Sequence, residues 1–324
     1  MSTSKYFDKI CLAVTVITLI ITLLFMNGER LGIRVVVNED AEANSDSVYF
    51  TKKDLKGSWN SSVTTNIRLE DDDAHISGAG AFFYKGVLHI TASGYYELRG
   101  TLSSGQIIVE AGNNDQVWLK LNGVSISCPD DACIKILNAD KVFLTLEADS
   151  ENSLTSGAQY SSEAEEEGCD GVIYSHDDLT INGKGSLTVT TAYKHGIVSN
   201  DALIITGGKI KVTAAGSAIR ANENLRICRA DLTIISENKG IVVDDEESFL
   251  YIESGSLVIK TADDAIRCKG DINIVGGSLT LTAGDDAIQS DTKIDITGGE
   301  VSILYCNEKF KAPEINVAEG VVTS

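Results

Sequence analysis

One short phrase recurs five times in the second half of this chain and limits what the chain can fold into. Each copy places an isoleucine among small or polar residues, and the five isoleucines are Ile197, Ile219, Ile241, Ile266 and Ile288. They lie 22, 22, 25 and 22 residues apart, and the phrase extends back to Ile173 and forward to Phe310. A period near 22 residues is typical of one turn of a solenoid.

Short runs of alternating apolar and polar residues, separated by glycine turns, fill each period. Residues 272–274, the glycines at 276–277 and residues 279–283 show this pattern. Alternation gives each strand one inward and one outward face. After the N-terminus no stretch has the 3.6-residue apolar period of a helix, and the chain has two prolines. The sequence therefore predicts an all-β parallel β-helix, with small residues such as Ala221 and Cys268 at an inward position.

The spacing between repeats is longer at one place. Ile134 and Ile173 are 39 residues apart, which is one coil plus 17 residues. The excess coincides with residues 157–170, a polar stretch rich in glutamate. We interpret this stretch as a loop that leaves the coil between two strands.

An uncharged run near the N-terminus indicates on which side of the membrane the rest of the chain lies. The run covers residues 10–26 and follows Lys5 and Lys9. Its length is at the short end of the roughly 17 to 25 residues that cross a bilayer, and exceeds the roughly 7 to 15 of a signal-peptide core. A cleaved signal peptide is the alternative to an uncleaved anchor. The favoured segments are a cytoplasmic N-terminus at 1–9, a single-pass transmembrane signal anchor at 10–26, a linker at 27–47 and an extracellular β-helix domain at 48–324.

Acidic residues strongly outnumber basic ones. Asp and Glu total 47 against 27 Lys and Arg, so the formal net charge is −20. A surface of this charge repels nucleic acid and anionic membranes, and no basic stripe offsets it. We therefore expect membrane contact through the N-terminal helix only, and cations as the natural partners.

Pairs of acidic residues recur in step with the repeat. Two Asp-Asp pairs immediately precede successive repeats, so we expect them at one corner, about 4.8 Å apart. Such carboxylates repel by roughly 3.5 kcal/mol at an effective dielectric of 20, which favours a bound cation. Calcium suits them because it accepts oxygen ligands in flexible geometry. The candidate ligands are Asp263, Asp264, Asp285, Asp286, Asn307 and Glu308, with Asp244 and Asp245 contributing from a neighbouring corner. The alternative is that each Asp satisfies backbone donors before a turn.

Six of the seven cysteines follow the N-terminal run. Cys128 and Cys133 are close enough in sequence to bridge a turn by a disulfide. The alternative is that these residues are buried thiols, as the inward position of Cys268 indicates.

Several phrases in succession resemble a known family. They are residues 98–102, 105–109, 121–126, 178–189 and 195–199. Together they are similar to the clostridial carbohydrate-binding β-helix family, whose members are surface proteins related in fold to pectate lyases. The resemblance implies a right-handed, single-stranded parallel β-helix with bound calcium. It also implies binding of cellulose or of acidic plant-wall sugars such as polygalacturonate, without established catalysis.

The chain departs from this family at two repeats. Where relatives repeat Asp-Gly-Ile, the chain has Ser217-Ala218-Ile219 and Lys239-Gly240-Ile241. The resemblance therefore implies a metal corner confined to the last three coils.

Two function classes compete for the predicted solenoid. The first is a non-catalytic, calcium-binding protein that holds an extracellular polysaccharide on a flat side of the solenoid. The second is a calcium-dependent pectate-type lyase, which needs a Lys or Arg base beside a metal-neutralised uronate. A structural or adhesive surface protein without a sugar ligand is a third reading. The candidate sugar contacts are Arg220, Arg267, Lys269 and Tyr305, with salt bridges as the alternative role of the cations. Lys269 is expected near Asp263 and Asp264, and no catalytic residue is assigned.

Overall fold

The chain winds into a parallel β-solenoid of about ten coils. The structure is a computed structural model that describes residues 48–61 and 63–323. Each complete coil contributes three strands, and each strand pairs in parallel with its equivalents one coil before and one coil after. The predicted all-β parallel solenoid is confirmed, and its right-handed sense stays a prediction.

The strands of the first four coils are longer and less regular than those that follow. They are β1 (Thr64–Glu70), β2 (Asp73–Ser77), β3 (Ala81–Tyr84), β4 (Val87–Ile90), β5 (Gly94–Leu102), β6 (Gln106–Glu110), β7 (Gln116–Cys128), β8 (Ile134–Asn138), β9 (Lys141–Leu146), β10 (Glu151–Ser156), β11 (Gly171–Ser175), β12 (Asp178–Gly183) and β13 (Ser186–Thr191). The chain enters the solenoid through two antiparallel hairpins, β1–β2 and β3–β4.

The remaining coils repeat almost without irregularity. Their strands are β14 (His195–Ser199), β15 (Ala202–Ile205), β16 (Lys209–Ala214), β17 (Ile219–Ala221), β18 (Asn224–Ile227), β19 (Ala230–Ser236), β20 (Ile241–Val243), β21 (Phe249–Ile252), β22 (Gly255–Thr261), β23 (Ile266–Cys268), β24 (Asp271–Ile274), β25 (Ser278–Thr282), β26 (Asp286–Ser290), β27 (Lys293–Ile296), β28 (Glu300–Tyr305), β29 (Glu308–Lys311), β30 (Glu314–Val317) and β31 (Val322–Thr323).

The strands form three faces. Face A is the 11-stranded sheet β3-β4-β6-β8-β11-β14-β17-β20-β23-β26-β29. Face B holds the second strand of each coil, which is β9, β12, β15, β18, β21, β24, β27 and β30. Face C holds the third strand, which is β10, β13, β16, β19, β22, β25, β28 and β31. The long strands β5 and β7 cross from face B to face C.

The recurrent isoleucines form a column inside the solenoid. Ile197, Ile219, Ile241, Ile266 and Ile288 pair in register on face A, and each is fully buried. Burying a side chain of this size stabilises the fold by roughly 1.5–3 kcal/mol. The inward small residues two positions later, at 221, 268 and 290, are also buried, as predicted.

The predicted loop at residues 157–170 folds back onto face A. It contains the one short helix of the described chain, α1 (Ser162–Glu166), whose first turn is capped by the Ser161 hydroxyl accepting from Ala164 N–H at 3.2 Å. Glu167 contacts Lys135 Nζ at 2.8 Å. Five residues are too short for an apolar helical period, so the sequence pattern could not show this helix.

A segment before the first strand, residues 49–59, lies along face B, and we call it the strap. At its start Tyr49 stacks on Tyr251 of β21, with ring centroids 3.7 Å apart. At its end the Trp59 indole N–H donates to Thr145 Oγ1 of β9 at 3.2 Å, and the Lys120 ammonium of β7 donates to the Trp59 carbonyl at 3.0 Å. Coils of a solenoid normally contact only their neighbours. The strap therefore couples coils that do not touch each other.

A buried carboxylate fixes the middle of the strap. Asp54 is fully buried and accepts from Thr180 Oγ1 at 2.8 Å and from Thr51 N–H at 2.9 Å. Lys141 Nζ lies 2.9 Å from the same carboxylate. Burial acts to raise the pKa of Asp54, but the Lys141 charge and these hydrogen bonds outweigh it, so the pKa is lowered. The carboxylate is therefore held in its charged form.

Cys128 and Cys133 are free thiols in the structure, as are Cys169, Cys228 and Cys268, and all five are buried. The disulfide that the sequence left open is thus not formed here, and the buried-thiol alternative is the one observed. Burial raises the pKa of Cys128 to about 11 and that of Cys228 to about 12. These thiols are packing residues of the solenoid.

The predicted signal anchor at residues 10–26 lies outside the described residues, as do its flanks at 1–9 and 27–47. Among the residues that are described, no helix has the length and apolar character needed to cross a bilayer. The membrane anchor stays a prediction.

Replacing Gly183 by alanine is expected to destabilise the protein. Gly183 has a φ of +106°, and an added Cβ would lie 2.2 Å from the Leu146 carbonyl oxygen of the preceding coil. Gly123 is the matched control, because its φ is also positive, at +77°, but its Cβ would meet nothing within 4 Å. Chemical denaturation should show Gly183→Ala losing at least about 1 kcal/mol more than Gly123→Ala. Equal losses would mean that backbone conformation, and not coil spacing, selects glycine here.

Candidate functional site

Six residues with oxygen-bearing side chains meet at the edge where the chain passes from face C to face A. They form the acidic corner, which consists of Asp263, Asp264, Asp285, Asp286, Asn307 and Glu308. Ile266 pairs with Ile288, and Asp286 pairs with Glu308, so the three pairs occupy equivalent positions in consecutive coils. The prediction that they share one corner is confirmed.

The carboxylates of the corner are close and partly buried. Oxygen atoms of Asp263, Asp264 and Asp285 all lie within 4.8 Å of one another. Asp264 and Asp286 are each 2% exposed. Asp286 N–H donates to Asp264 Oδ1 at 3.1 Å, and the Asn307 side-chain amide donates to Asp285 Oδ1 at 3.0 Å. The backbone thus holds three carboxylates together at a spacing where their charges repel.

Two lysines relieve that repulsion, one at each end of the corner. Lys239 Nζ lies 2.7 Å from Asp263 Oδ2 and 2.6 Å from Asp264 Oδ2. Lys311 Nζ lies 2.8 Å from Asp286 Oδ2. Burial acts to lower the pKa of Lys239, but its hydrogen bonds to both carboxylates outweigh burial and raise the pKa. The protein therefore supplies cations of its own to the corner.

The sequence argument missed these lysines as part of the corner. Because Ile241 pairs with Ile266, Lys239 occupies the position of Asp264 one coil earlier. Its residue type indicates the loss of a ligand, whereas the structure shows that Lys239 brings an ammonium to Asp263 and Asp264 of the next coil. Register alone would have placed Lys239 beside Asp264.

Asp244 and Asp245 do not belong to the acidic corner. They follow β20, whereas the corner residues precede β23 or lie at the start of β26 and β29, so the pair lies at the opposite edge of face A. Asp244 contacts Arg220 Nη2 at 2.7 Å. The pair lies at a neighbouring corner, as expected, and its contribution to a metal site stays a prediction.

Arg220 and Arg267 occupy equivalent outward positions two coils apart on face A, as expected. Both are engaged in ion pairs: Arg220 with Asp244, and Arg267 with both carboxylate oxygens of Asp291 at 2.9 and 3.0 Å. The salt-bridge alternative is the one that the structure shows. Both guanidinium groups are thus occupied by carboxylates of the protein itself.

Lys269 is not near Asp263 and Asp264. It follows the three-residue strand β23, whereas the two acids precede it, and an extended chain of five residues spans roughly 16 Å. The predicted proximity is therefore wrong. Its backbone N–H donates to the Val243 carbonyl at 2.9 Å.

The aromatic residues divide into a covered set and an exposed one. Tyr95, Trp118 and Phe143 stack along face B, with successive ring centroids 4.7 and 5.1 Å apart. Trp59 of the strap packs on Tyr95. Tyr305, at the end of face C, is 62% exposed. Of the predicted sugar contacts, Tyr305 is the one that presents an uncovered ring to solvent.

A protein-family model, described as "Carbohydrate-binding domain-containing protein", matches residues 85–323 of this chain. The match begins just before β4 and reaches the last strand, so it includes every complete coil. It covers the acidic corner as well as all three faces of these coils.

A relative from Acetivibrio thermocellus, described in the same words, is 40% identical over 126 residues. That match covers 39% of this chain and 44% of the relative, so the chain spans less than half of the relative's length. A solved structure titled "Structure of the polysaccharide lyase-like protein from C. thermocellum, Gadolinium derivative" is also similar. It has a TM-score of 0.65 and 29% sequence identity, and the match covers 80% of this chain and 99% of that one.

Proposed function

The chain belongs to the family of carbohydrate-binding domain-containing proteins, and from this membership we propose that it binds a polysaccharide without cleaving it. The observation that carries the proposal is the extent of the family match, which takes in every complete coil of the solenoid. A solenoid offers flat faces along which a polymer can lie over several coils. Cellulose and acidic plant-wall polysaccharides are the proposed ligand classes.

The state of the cationic residues supports binding over cleavage. A lyase needs a Lys or Arg that can accept a proton beside the uronate carboxylate. Arg220 and Arg267 instead hold carboxylates at 2.7 to 3.0 Å. Lys239 and Lys311, which lie at the acidic corner, have raised pKa values, so both favour the protonated form.

We propose calcium as the cation that the acidic corner takes from solution. The donor set fits, since Asp263, Asp264 and Asp285 bring carboxylate oxygens within 4.8 Å of one another and calcium accepts carboxylates in flexible geometry. Lys239 competes for two of these carboxylates. Bound calcium would join these acids to an acidic polymer. The affinity of the corner for calcium depends on the displacement of Lys239.

We also propose a place at the cell surface, with the solenoid outside the cell. The support is the uncharged run at residues 10–26, which the sequence favours as a single-pass anchor. A net charge of −20 keeps the solenoid itself away from anionic lipid.

A calcium-dependent lyase is the second candidate, because the similar solved structure is titled a polysaccharide lyase-like protein. One experiment separates the two. Full-length protein in mild detergent is incubated with insoluble cellulose and with immobilised polygalacturonate, with calcium or with a chelator. Binding predicts retention on at least one polymer and no release of unsaturated uronides. Release of such products would establish the lyase, and absence of retention on every polymer would reject the binding function.

A further inference from the structure

Face C carries two outward columns of side chains that contain no acidic residue. The first column follows the middle of each strand and consists of Ser125, Ser153, Thr188, Lys211, Thr233, Val258, Thr280, Ser302 and Thr323. The second lies beside it and consists of Ser127, Thr155, Thr190, Thr213, Ile235, Lys260, Thr282 and Tyr305. We call the two columns together the hydroxyl face.

This composition is unusual for the chain. Since 47 of 324 residues are Asp or Glu, seventeen positions taken at random would hold about two or three acids. Seventeen outward positions should hold more acids than that, because charged residues concentrate at surfaces. The hydroxyl face holds none, and thirteen of its seventeen side chains are Ser, Thr or Tyr. The outward column that precedes it on face C, by contrast, contains Glu151, Asp231 and Glu300.

The two lysines of the hydroxyl face are exposed and are not engaged in ion pairs within the described residues. Lys211 on β16 and Lys260 on β22 both point to solvent. Within the described part of the chain neither ammonium forms an ion pair, in contrast to Lys239 and Lys311 at the acidic corner. They lie two coils apart in adjacent columns, about 12 Å from each other if strands are about 4.8 Å apart and residues rise about 3.3 Å.

Apolar contacts separate the two lysines. Val258 is 45% exposed and Ile235 is 42% exposed. Thr233 pairs with Val258, and Ile235 pairs with Lys260, so hydroxyl, aliphatic and ammonium groups alternate over neighbouring positions. A sugar ring presents C–H groups on its face, hydroxyls at its edge and, in a uronate, a carboxylate. Each of these groups has a counterpart on the hydroxyl face.

We propose that the hydroxyl face binds a strand of an anionic, uronate-bearing polysaccharide, with Lys211 and Lys260 contacting its carboxylates. The proposal rests on the proposed binding function and assigns it to face C, beside the acidic corner at the edge between faces C and A. Charge complementarity selects the occupant, because two lysines without ion pairs, in two columns that hold no acid, favour an anionic polymer over a neutral one. Tyr305, the predicted sugar contact that remains exposed, ends the second column.

The test measures the affinity of full-length protein for polygalacturonate and for the same polymer after its carboxyl groups are reduced. Lys211→Ser combined with Lys260→Ser should weaken binding of the acidic polymer about fivefold, which corresponds to two exposed ion pairs. The control is Lys52→Ser combined with Lys184→Ser, which removes the same charge from exposed positions elsewhere and should change affinity less than about twofold. Thr233→Glu should weaken binding further, since it places a carboxylate between the two lysines.

The outcomes distinguish this proposal from the broader one. If the wild type binds polygalacturonate while the Lys211 and Lys260 double variant and Thr233→Glu bind it equally well, the hydroxyl face is overturned and the binding function stands. Preference of the wild type for the carboxyl-reduced polymer would also overturn the anionic assignment. Failure to bind any polysaccharide would reject the binding function itself. Melting temperatures and far-ultraviolet spectra of all variants must match those of the wild type. Thr233→Ser is the control for Thr233→Glu, and it should bind the acidic polymer as the wild type does.

Discussion

Replacing Asp54 by asparagine is expected to lower the free energy of unfolding by roughly 3 kcal/mol, because the change removes one partner of a buried ion pair. The Lys141 side chain lies under the strap, 2.9 Å from the Asp54 carboxylate, and the substitution removes this buried partner. The chain has two tryptophans, Trp59 in the strap and Trp118 on face B, where the Lys53 ammonium of the strap lies over its ring. Chemical denaturation followed by tryptophan fluorescence therefore reports strap release directly.

Asp178→Asn is the matched control for Asp54. Asp178 faces the same lysine at 3.8 Å, but its side chain is 36% exposed, so its removal should cost less than about 1 kcal/mol. Equal losses in the two variants would contradict the account of the strap. So would an Asp54→Asn protein whose tryptophan emission moves to longer wavelength without any loss of stability, since the strap would then contribute nothing to the fold.

Protonation of the Asp54 carboxylate should make the stability of the protein fall at acidic pH. The folded-state pKa of Asp54 is lowered, so its contribution to stability is fully present above the unfolded pKa, near 4, and is lost as the pH falls through the folded value. Wild-type stability should therefore fall more steeply than that of Asp54→Asn below about pH 4. Parallel curves for the two proteins in this range would contradict the assignment.

Replacing Lys239 by serine is expected to tighten calcium binding about tenfold, because the ammonium no longer competes for Asp263 and Asp264. Asp285→Asn should act in the opposite direction, since it removes one of the three clustered carboxylates. Calcium that binds only the folded state raises the melting temperature. The measurement is the calcium concentration that gives half of that rise in each variant.

Lys293→Ser controls for the loss of a lysine that contacts two acids. Lys293 lies 3.3 Å from Asp295 and 3.2 Å from Glu314, away from the acidic corner. Its calcium response should match that of the wild type. Calcium-independent melting in the wild type and in Lys239→Ser would reject the metal site, and the corner would then be a structural cluster neutralised by its own lysines.

The solenoid was predictable because its core depends on a local, repeated pattern. Once Ile197, Ile219 and Ile241 align at one inward position, every neighbouring residue acquires a face and a register. The shared corner of Asp264, Asp286 and Glu308 follows from that register, as do the equivalent positions of Arg220 and Arg267. The two columns of the hydroxyl face could also be derived from it.

The errors arose where register was not followed along the strand. Lys269 is close to Asp264 in sequence, but β23 extends between them and places them at opposite edges of face A. Asp244 follows its strand, at the neighbouring corner that the sequence indicates, and its contribution to a metal site stays a prediction. Lys239 was excluded on its residue type, although its position is equivalent to that of Asp264.

The strap could not be predicted from local pattern, because its partners are remote in sequence. Asp54 bonds to Thr180, which is 126 residues away, and Tyr49 stacks on Tyr251. Residues 49–59 contain no repeat that would indicate a register against face B. The buried contacts of Asp54 and Trp59 show that this segment packs on the solenoid.

Titration of the full-length protein with galacturonate oligosaccharides of increasing length shows whether the solenoid binds a polysaccharide along several coils. The first column of the hydroxyl face spans nine strands, which is about 38 Å at the spacing of neighbouring strands. We expect affinity to rise with oligosaccharide length and to level off once the oligosaccharide spans the column, with every oligosaccharide recovered intact. Affinity that does not change with length, or no binding at any length, would contradict this expectation.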